Sequence, residues 1–287
     1  MTVVTGPGLA VFDMPMAALV EAALTAGAAA MEIYAQADLG VHIKSDKSPV
    51  TAADEAAEAV ILAALARLAP DLPVVAEEAT AAGHVPVALG ERFALVDPLD
   101  GTKEFIARNG EFTVNIGLIE QARPVAGIVY APVLRLVWWG VVGAGAFVAE
   151  VASDGRSIGP ARPIRARAAP PEGYRVMASR SHGCAETEDF LARLPVAERM
   201  TAGSSLKFCR IAEGKCDLYP RHGPTMEWDT AAGDAVLTSA GGAVTDLQGQ
   251  PLVYGKRGRT GVKDFANPDF VAVGSVDPRR VCGGATA

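Results

Sequence analysis

Phe93-Ala94-Leu95-Val96 has the length and β-branched content of a short buried strand, and it runs straight into Asp97-Pro98-Leu99-Asp100-Gly101-Thr102. Six residues thus deliver two carboxylates, a turn and a hydroxyl. Pro98 has no N–H to give a ladder, so the strand is expected to stop at Asp97. Gly101 tolerates a turn conformation that a Cβ penalises, which lets the Leu99 carbonyl and both Asp side chains converge. Convergent hard oxygens suit Mg²⁺ or Mn²⁺, although Asp beside Pro and Gly also caps ordinary turns. The phosphatase signature Asp-x-Asp-Gly-Thr, with a nucleophilic first Asp, does not apply, because Pro98 stands two residues before Asp100.

A chain of 287 residues is long for one simple core and suits two packed subdomains or one large layered domain. The expected division is an N-terminal α+β subdomain, 1–162, and a C-terminal α/β subdomain, 163–287, with the junction inside the Arg-, Pro- and Ala-rich stretch from Ser153 to Pro171. Aromatics make up only 6% while Gly numbers 30, so helices are expected to pack closely on sheets. A net charge of -7 disfavours general nucleic-acid or membrane-surface binding, and an anionic substrate then needs placed Lys, Arg or metal ions. Cys184, Cys209, Cys216 and Cys282 contain no C-x-x-C pair, which indicates neither a zinc cage nor a disulfide framework. Met1 to Met14 has no basic region ahead of an apolar one, and no uninterrupted apolar span of membrane length is expected. These features point to a cytoplasmic protein with no integral membrane segment.

Along the chain, apolar residues at helical spacing predict a helix over Met16 to Ala37, and a second helix runs to about Leu68. Thr51 and Asp54 have the spacing of a capping box at the start of that second helix. Leu72 to Ala76 reads as a strand that ends in Glu77-Glu78; alternation at a strand tip lets one of the two face a site, and Glu77 is the choice. Phe112–Ile119, Val125–Tyr130, Leu134–Trp139 and Gly145–Val148 are strands separated by short turns, which makes an antiparallel meander. Tyr174–Ser179 restarts as a strand, with His182 in the loop after it and a helix over Ala185–Leu194. Gly203-Ser204-Ser205-Leu206-Lys207 opens another helix with Ser at the cap, where free N–H groups and Lys207 suit an anion. Cys216–Tyr219 is a strand leading to Arg221, and the helix after Met226 carries Asp229 in or near its first turn and a small Ala231-Ala232-Gly233 face. Phe270–Val273 closes the set of strands.

Each acidic position has an ordinary structural explanation, yet Glu77-Glu78, Asp97-Pro98-Leu99-Asp100-Gly101-Thr102 and Trp228-Asp229-Thr230-Ala231-Ala232-Gly233, in this order, together resemble the inositol monophosphatase superfamily of Mg²⁺-dependent, lithium-sensitive phosphatases. The resemblance is nearest to the bacterial 3'(2'),5'-bisphosphate nucleotidase branch. It is carried by Asp46-Lys47-Ser48-Pro49-Val50-Thr51, Asp100–Ile106 running on to Asn109–Ile116, Gly203–Cys209 and Leu218-Tyr219-Pro220-Arg221.

The resemblance implies a layered α-β-α-β-α sandwich of α+β or α/β class. It implies two or more Mg²⁺ ions, with Mn²⁺ as substitute, held by Glu77, Asp97, the Leu99 carbonyl, Asp100 and Asp229. Asp54 and Thr102, with Glu77, would orient and deprotonate the attacking water. Gly101 and Thr102 would hold the scissile phosphate, and His182, Ser204, Ser205, Lys207, Arg221 and Asp229 the rest of a nucleotide bisphosphate. Where inositol monophosphatases carry a glutamate for ring hydroxyls, Arg221 is cationic, which suits a second phosphate. The expected substrate is adenosine 3',5'-bisphosphate or its sulfated precursor. The alternatives are inositol-1-phosphate or another sugar phosphate, and a catalytically silent nucleotide sensor. A monomer or homodimer is expected, in the cytoplasm or peripheral at the inner membrane.

Overall fold

The structure, a computed structural model, describes residues 9–44, 49–180 and 183–282. In the first part, a short ladder of β1 (Ala10–Val11) and β2 (Met14–Pro15) leads into helix α1 (Met16–Tyr34). A second short ladder, β3 (His42–Ile43) with β4 (Pro49–Val50), precedes α2 (Ala52–Leu68). Then follow β5 (Val74–Ala76), α3 (Glu77–Ala81), β6 (Arg92–Asp100), α4 (Thr102–Ile106), β7 (Thr113–Glu120), β8 (Arg123–Ala131), β9 (Leu136–Val141), β10 (Gly145–Glu150) and β11 (Arg162–Ile164). The remainder is β12 (Tyr174–Ser179), α5 (Ala185–Leu191), β13 (Val196–Ala202), α6 (Leu206–Ala212), β14 (Leu218–Arg221), α7 (Trp228–Ser239), β15 (Ala243–Asp246), β16 (Phe270–Val273) and α8 (Pro278–Cys282).

Two sheets organise these elements into five layers. The first has the order β11-β10-β9-β8-β7-β6-β5 and is antiparallel except for β5 beside β6; the second has the order β13-β12-β14-β16-β15. Helices α1 and α2 cover the outer face of the first sheet through one apolar cluster, and α6 and α7 fill the space between the sheets with another. Helices α5 and α8 cover the outer face of the second sheet. This is the α-β-α-β-α sandwich expected. The junction expected at 162/163 falls inside β11, the edge strand of the first sheet.

Helix α1 is apolar on most sides and is long and apolar enough to cross a membrane by length and composition alone, although Glu21 and Glu32 interrupt its apolar run as expected. Half of it is buried against α2, β7 and β8, so it serves as a core helix. Helix α2 starts with the expected capping box: Ala53 N donates to Thr51 Oγ1, and Thr51 N donates to Asp54 Oδ2 at 2.8 Å.

The placement of α7 rests on a row without side chains. Gly117, Gly127 and Gly140 are register partners on β7, β8 and β9, and together they cut a groove across the sheet. Added Cβ atoms there would lie 2.7 Å from Ala231 Cβ, 2.4 Å from the Ala232 carbonyl oxygen and 2.8 Å from Ser239 Cβ. Small residues on both surfaces let α7 approach the sheet closely, and this seats Asp229 near the end of β6.

Several boundaries differ from the sequence expectation. The first helix ends at Tyr34, and α5 ends at Leu191. Strand β6 does not stop at Asp97; pairing with β7 breaks after Asp97↔Asn115 and resumes at Asp100↔Thr113, so Pro98 occupies an irregularity where no ladder N–H is required. Strand β13 lies beyond the sequence expectation: it is a largely exposed edge strand in which Glu198 interrupts the alternation of Val196, Met200 and Ala202.

Candidate active site

A cavity of about 260 Å³ opens where β6, α4, α7, β14 and the turn before α6 meet. Glu77, Asp97, Leu99, Asp100, Gly101, Thr102, Ser204, Lys207, Arg221 and Asp229 all line it, together with Lys103, Glu104, Tyr219 and Thr225. Carboxylates separated by up to 152 positions in sequence thus share one wall. Parallel pairing of β5 with β6 aligns Ala76 with Val96, so the chain leaves β5 at Glu77 beside Asp97. Glu77 opens the short helix α3 instead of ending a strand, and Glu78 does not line the cavity.

Gly101 has φ +97°, a conformation that an L side chain strains to adopt, and it forms the turn between β6 and α4. That turn brings Thr102 to Asp54, whose Oδ1 accepts from Thr102 Oγ1 at 3.2 Å. The other carboxylate oxygen of Asp54 accepts from Thr51 Oγ1 at 2.6 Å as well as from the Thr51 N–H. Asp54 is therefore both a helix cap and a neighbour of the site. Burial raises its pKa to about 6 against the pull of the Thr51 hydrogen bonds.

The electrostatics show how closely the carboxylates crowd. Burial lifts Asp97 well above the carboxylate range, with Glu77, Asp100 and Asp229 pushing the same way. Burial, then Asp100 and Glu77, do the same to Asp229. Asp100 rises to about 6 through burial, restrained chiefly by Lys207. Among the described residues no Lys, Arg or His forms an ion pair with Asp97, Asp100 or Asp229. Three acids without an ion pair, with Glu77 beside them, fit divalent cations: hard oxygens, surplus negative charge and an open cavity. Among the described residues no three acidic, His or Cys side chains are grouped tightly enough to hold a metal ion by themselves. Glu77 is turned to Lys44 Nζ at 2.7 Å, and Asp229 Oδ2 accepts from Met226 N–H at 2.8 Å.

The cationic side of the cavity is built from buried groups. Lys207 is 5% exposed; burial lowers its pKa to about 8, opposed first by Asp100, and its ammonium donates to the Ser204 carbonyl. Arg221 is 6% exposed, donates to the Pro224 carbonyl at 3.1 Å, and leaves its buried Nε without a partner among the described residues. Ser204 sits at φ +45° and faces the cavity. Ser205 does not: its hydroxyl donates to the Asp229 carbonyl at 3.0 Å and accepts from Asn115 Nδ2 at 3.0 Å, and it makes no side-chain cap for α6. His182, and the Asp46-Lys47-Ser48 stretch, lie outside the described residues. Local spacing gives Lys44 and Asn115 no role in the site; the one signal is an amide inside the apolar run Val114-Asn115-Ile116, and Asn115 Nδ2 also reaches Asp100 Oδ2 at 3.3 Å.

Comparison with known proteins agrees with this architecture. The family model described as the inositol monophosphatase family matches residues 14–267, and the chain belongs to that family. Enzymes of the family are metal-dependent. Within it, the chain is 47% identical over 249 residues to the 3'(2'),5'-bisphosphate nucleotidase CysQ of Salmonella typhimurium, covering 86% of this chain and 95% of the relative. It is 46% identical to the CysQ of Escherichia coli K12, with the same coverage. The crystal structure of CysQ from Bacteroides thetaiotaomicron superposes with a TM-score of 0.73 at 37% identity, covering 90% of this chain and 96% of that one. The inositol monophosphatase of Anabaena gives a TM-score of 0.69 at 26% identity, covering 93% of each chain.

Proposed function

We propose that this chain is a metal-dependent 3'(2'),5'-bisphosphate nucleotidase that converts adenosine 3',5'-bisphosphate to AMP and phosphate and accepts 3'-phosphoadenylyl sulfate as a second substrate. The observation that carries this reading is Arg221, a buried guanidinium facing the cavity with an unpartnered Nε. A buried cation is costly without an anionic partner. A substrate that keeps a second phosphate while the first is hydrolysed would supply that partner; inositol-1-phosphate would not. The CysQ relatives carry the matching activity in their names.

Glu77, Asp97, the Leu99 carbonyl, Asp100 and Asp229 would hold the cations, which we take to be two or more Mg²⁺ with Mn²⁺ as substitute. When bound, divalent ions would offset the carboxylate repulsion, activate water and steady the leaving oxygen. Thr102 Oγ1 orients the water and passes its proton toward Asp54, whose pKa of about 6 suits a base working near neutrality. The water oxygen forms the new bond to phosphorus, the bond to the 3' oxygen breaks, and that oxygen takes up a proton. The N–H groups of Gly101 and Thr102 hold the transferred phosphoryl group. Lys207, Arg221 and Ser204 hold the rest of the nucleotide, while Ser205 acts one step back by fixing the Asp229 backbone. His182 belongs to the same proposed set. The four free thiols fit a reducing, cytoplasmic setting.

A phosphate-release panel of adenosine 3',5'-bisphosphate, 3'-phosphoadenylyl sulfate and inositol-1-phosphate, with and without Mg²⁺, tests the reading. The bisphosphate should lead inositol-1-phosphate by about a hundredfold in kcat/KM, and Arg221→Glu should remove most of that lead. A wild-type preference for inositol-1-phosphate would overturn the assignment.

A further inference from the structure

Lys44 Nζ lies 2.7 Å from Glu77 Oε1 and 2.6 Å from Glu78 Oε1, with only 11% of its side chain exposed. Glu58 holds the start of α3 in place, its two carboxylate oxygens accepting the N–H groups of Glu78 at 2.8 Å and Ala79 at 2.7 Å. One ammonium therefore serves two adjacent carboxylates on a fixed backbone. Of the two, Glu77 lines the cavity and Glu78 does not.

We propose that Lys44 is a built-in competitor for Glu77, which it neutralises until a divalent cation arrives, and that Glu78 then keeps the displaced ammonium. The inference rests on the metal-site reading above. An ammonium in this half-buried position loses an ion pair at high cost unless a second partner is already within reach, and Glu78 is. A divalent ion prefers carboxylate oxygens and carries twice the charge, so it takes Glu77 without expelling Lys44 from the site. The affinity for the cation is then set by how firmly Glu78 holds Lys44.

Mn²⁺ binding to the full chain without substrate, followed by calorimetry or by the loss of the free-ion paramagnetic resonance signal, tests this. Lys44→Met, which keeps much of the apolar stem, should tighten binding by about tenfold, the scale of one hydrogen bond to a charged group. Glu78→Gln should weaken it by about tenfold, because Lys44 is then left with Glu77 alone. In the Lys44→Met background, Glu78→Gln should lose most of that effect. Equal fold-changes in the two backgrounds mean simple long-range attraction and overturn the proposal, as does a Lys44→Met protein that binds no tighter than wild type. Should Lys44→Met fail to fold, Lys44→Gln takes its place in the same comparison of backgrounds, with the same outcomes deciding. Asp97→Asn separates the two levels: if it leaves Mn²⁺ binding intact, the metal-site reading itself falls.

Discussion

Asp54 sits at the meeting point of a structural and a chemical role. Its capping-box bonds were legible in the spacing Thr51-x-x-Asp54, but its contact with Thr102 joins positions 48 apart and follows from the Gly101 turn. The two roles respond differently to substitution. Asp54→Asn should lower kcat by about a hundredfold or more while leaving KM within about threefold, as removal of a general base does. Thr51→Ala removes one cap and should cost about 1 kcal/mol in urea unfolding while kcat stays within about tenfold of wild type. Equal losses of activity in both would reduce Asp54 to a cap.

Among the elements, α7 decides whether the acids meet, because it carries Asp229 and lies in the groove cut by Gly117, Gly127 and Gly140. Gly127→Ala would put a methyl group 2.4 Å from the Ala232 carbonyl oxygen. Backbone cannot yield as a flexible side chain does, so we expect a loss of about 1–3 kcal/mol in denaturant unfolding. Cation affinity should weaken in parallel as Asp229 is pushed off its position. A Gly127→Ala protein with unchanged stability would show that the helix does not seat this closely. The small Ala231-Ala232-Gly233 face was readable as a close-packing surface. Its glycine partners were not, since alignment across three strands depends on register and not on spacing. Strand β6 illustrates the same limit: its apolar half was plain, whereas its resumption at Asp100 beyond Pro98 depended on the partner strand β7.

For the molecule as a whole, the buried acids tie folding to pH and to cations. Without metal, Asp97 and Asp229 titrate well above their ordinary value, Asp100 and Asp54 near 6 and Glu78 near 7, with burial the leading cause in each. The folded state therefore binds protons more tightly than the unfolded chain, whose carboxylates titrate near 4. Between about pH 4 and 7 the slope of stability against pH from these groups is negative, so they destabilise the fold progressively as pH rises. Metal-stripped protein should accordingly gain more from Mg²⁺ at pH 8 than at pH 5, where protons compete for the same oxygens. At a hundredfold excess over Kd the gain is about 2.7 kcal/mol, a rise of several degrees in Tm. Thermal melts with EDTA and with Mg²⁺ at both pH values check this. A Mg²⁺ shift independent of pH would mean that the ions bind elsewhere.

The amino-acid order alone determined the helices of strong periodicity, the antiparallel meander and, through the ordered acidic motifs, the family. These depend on neighbours within a few residues or on the order of short motifs along the chain. What only the tertiary structure decided is how the acids come to share one cavity, that Lys44 bridges Glu77 and Glu78, and that Ser205 turns inward while Arg221 remains a buried cation facing the cavity. Those outcomes follow from β5–β6 alignment, the Gly101 turn and the seating of α7, which are contacts between distant segments that no local pattern encodes.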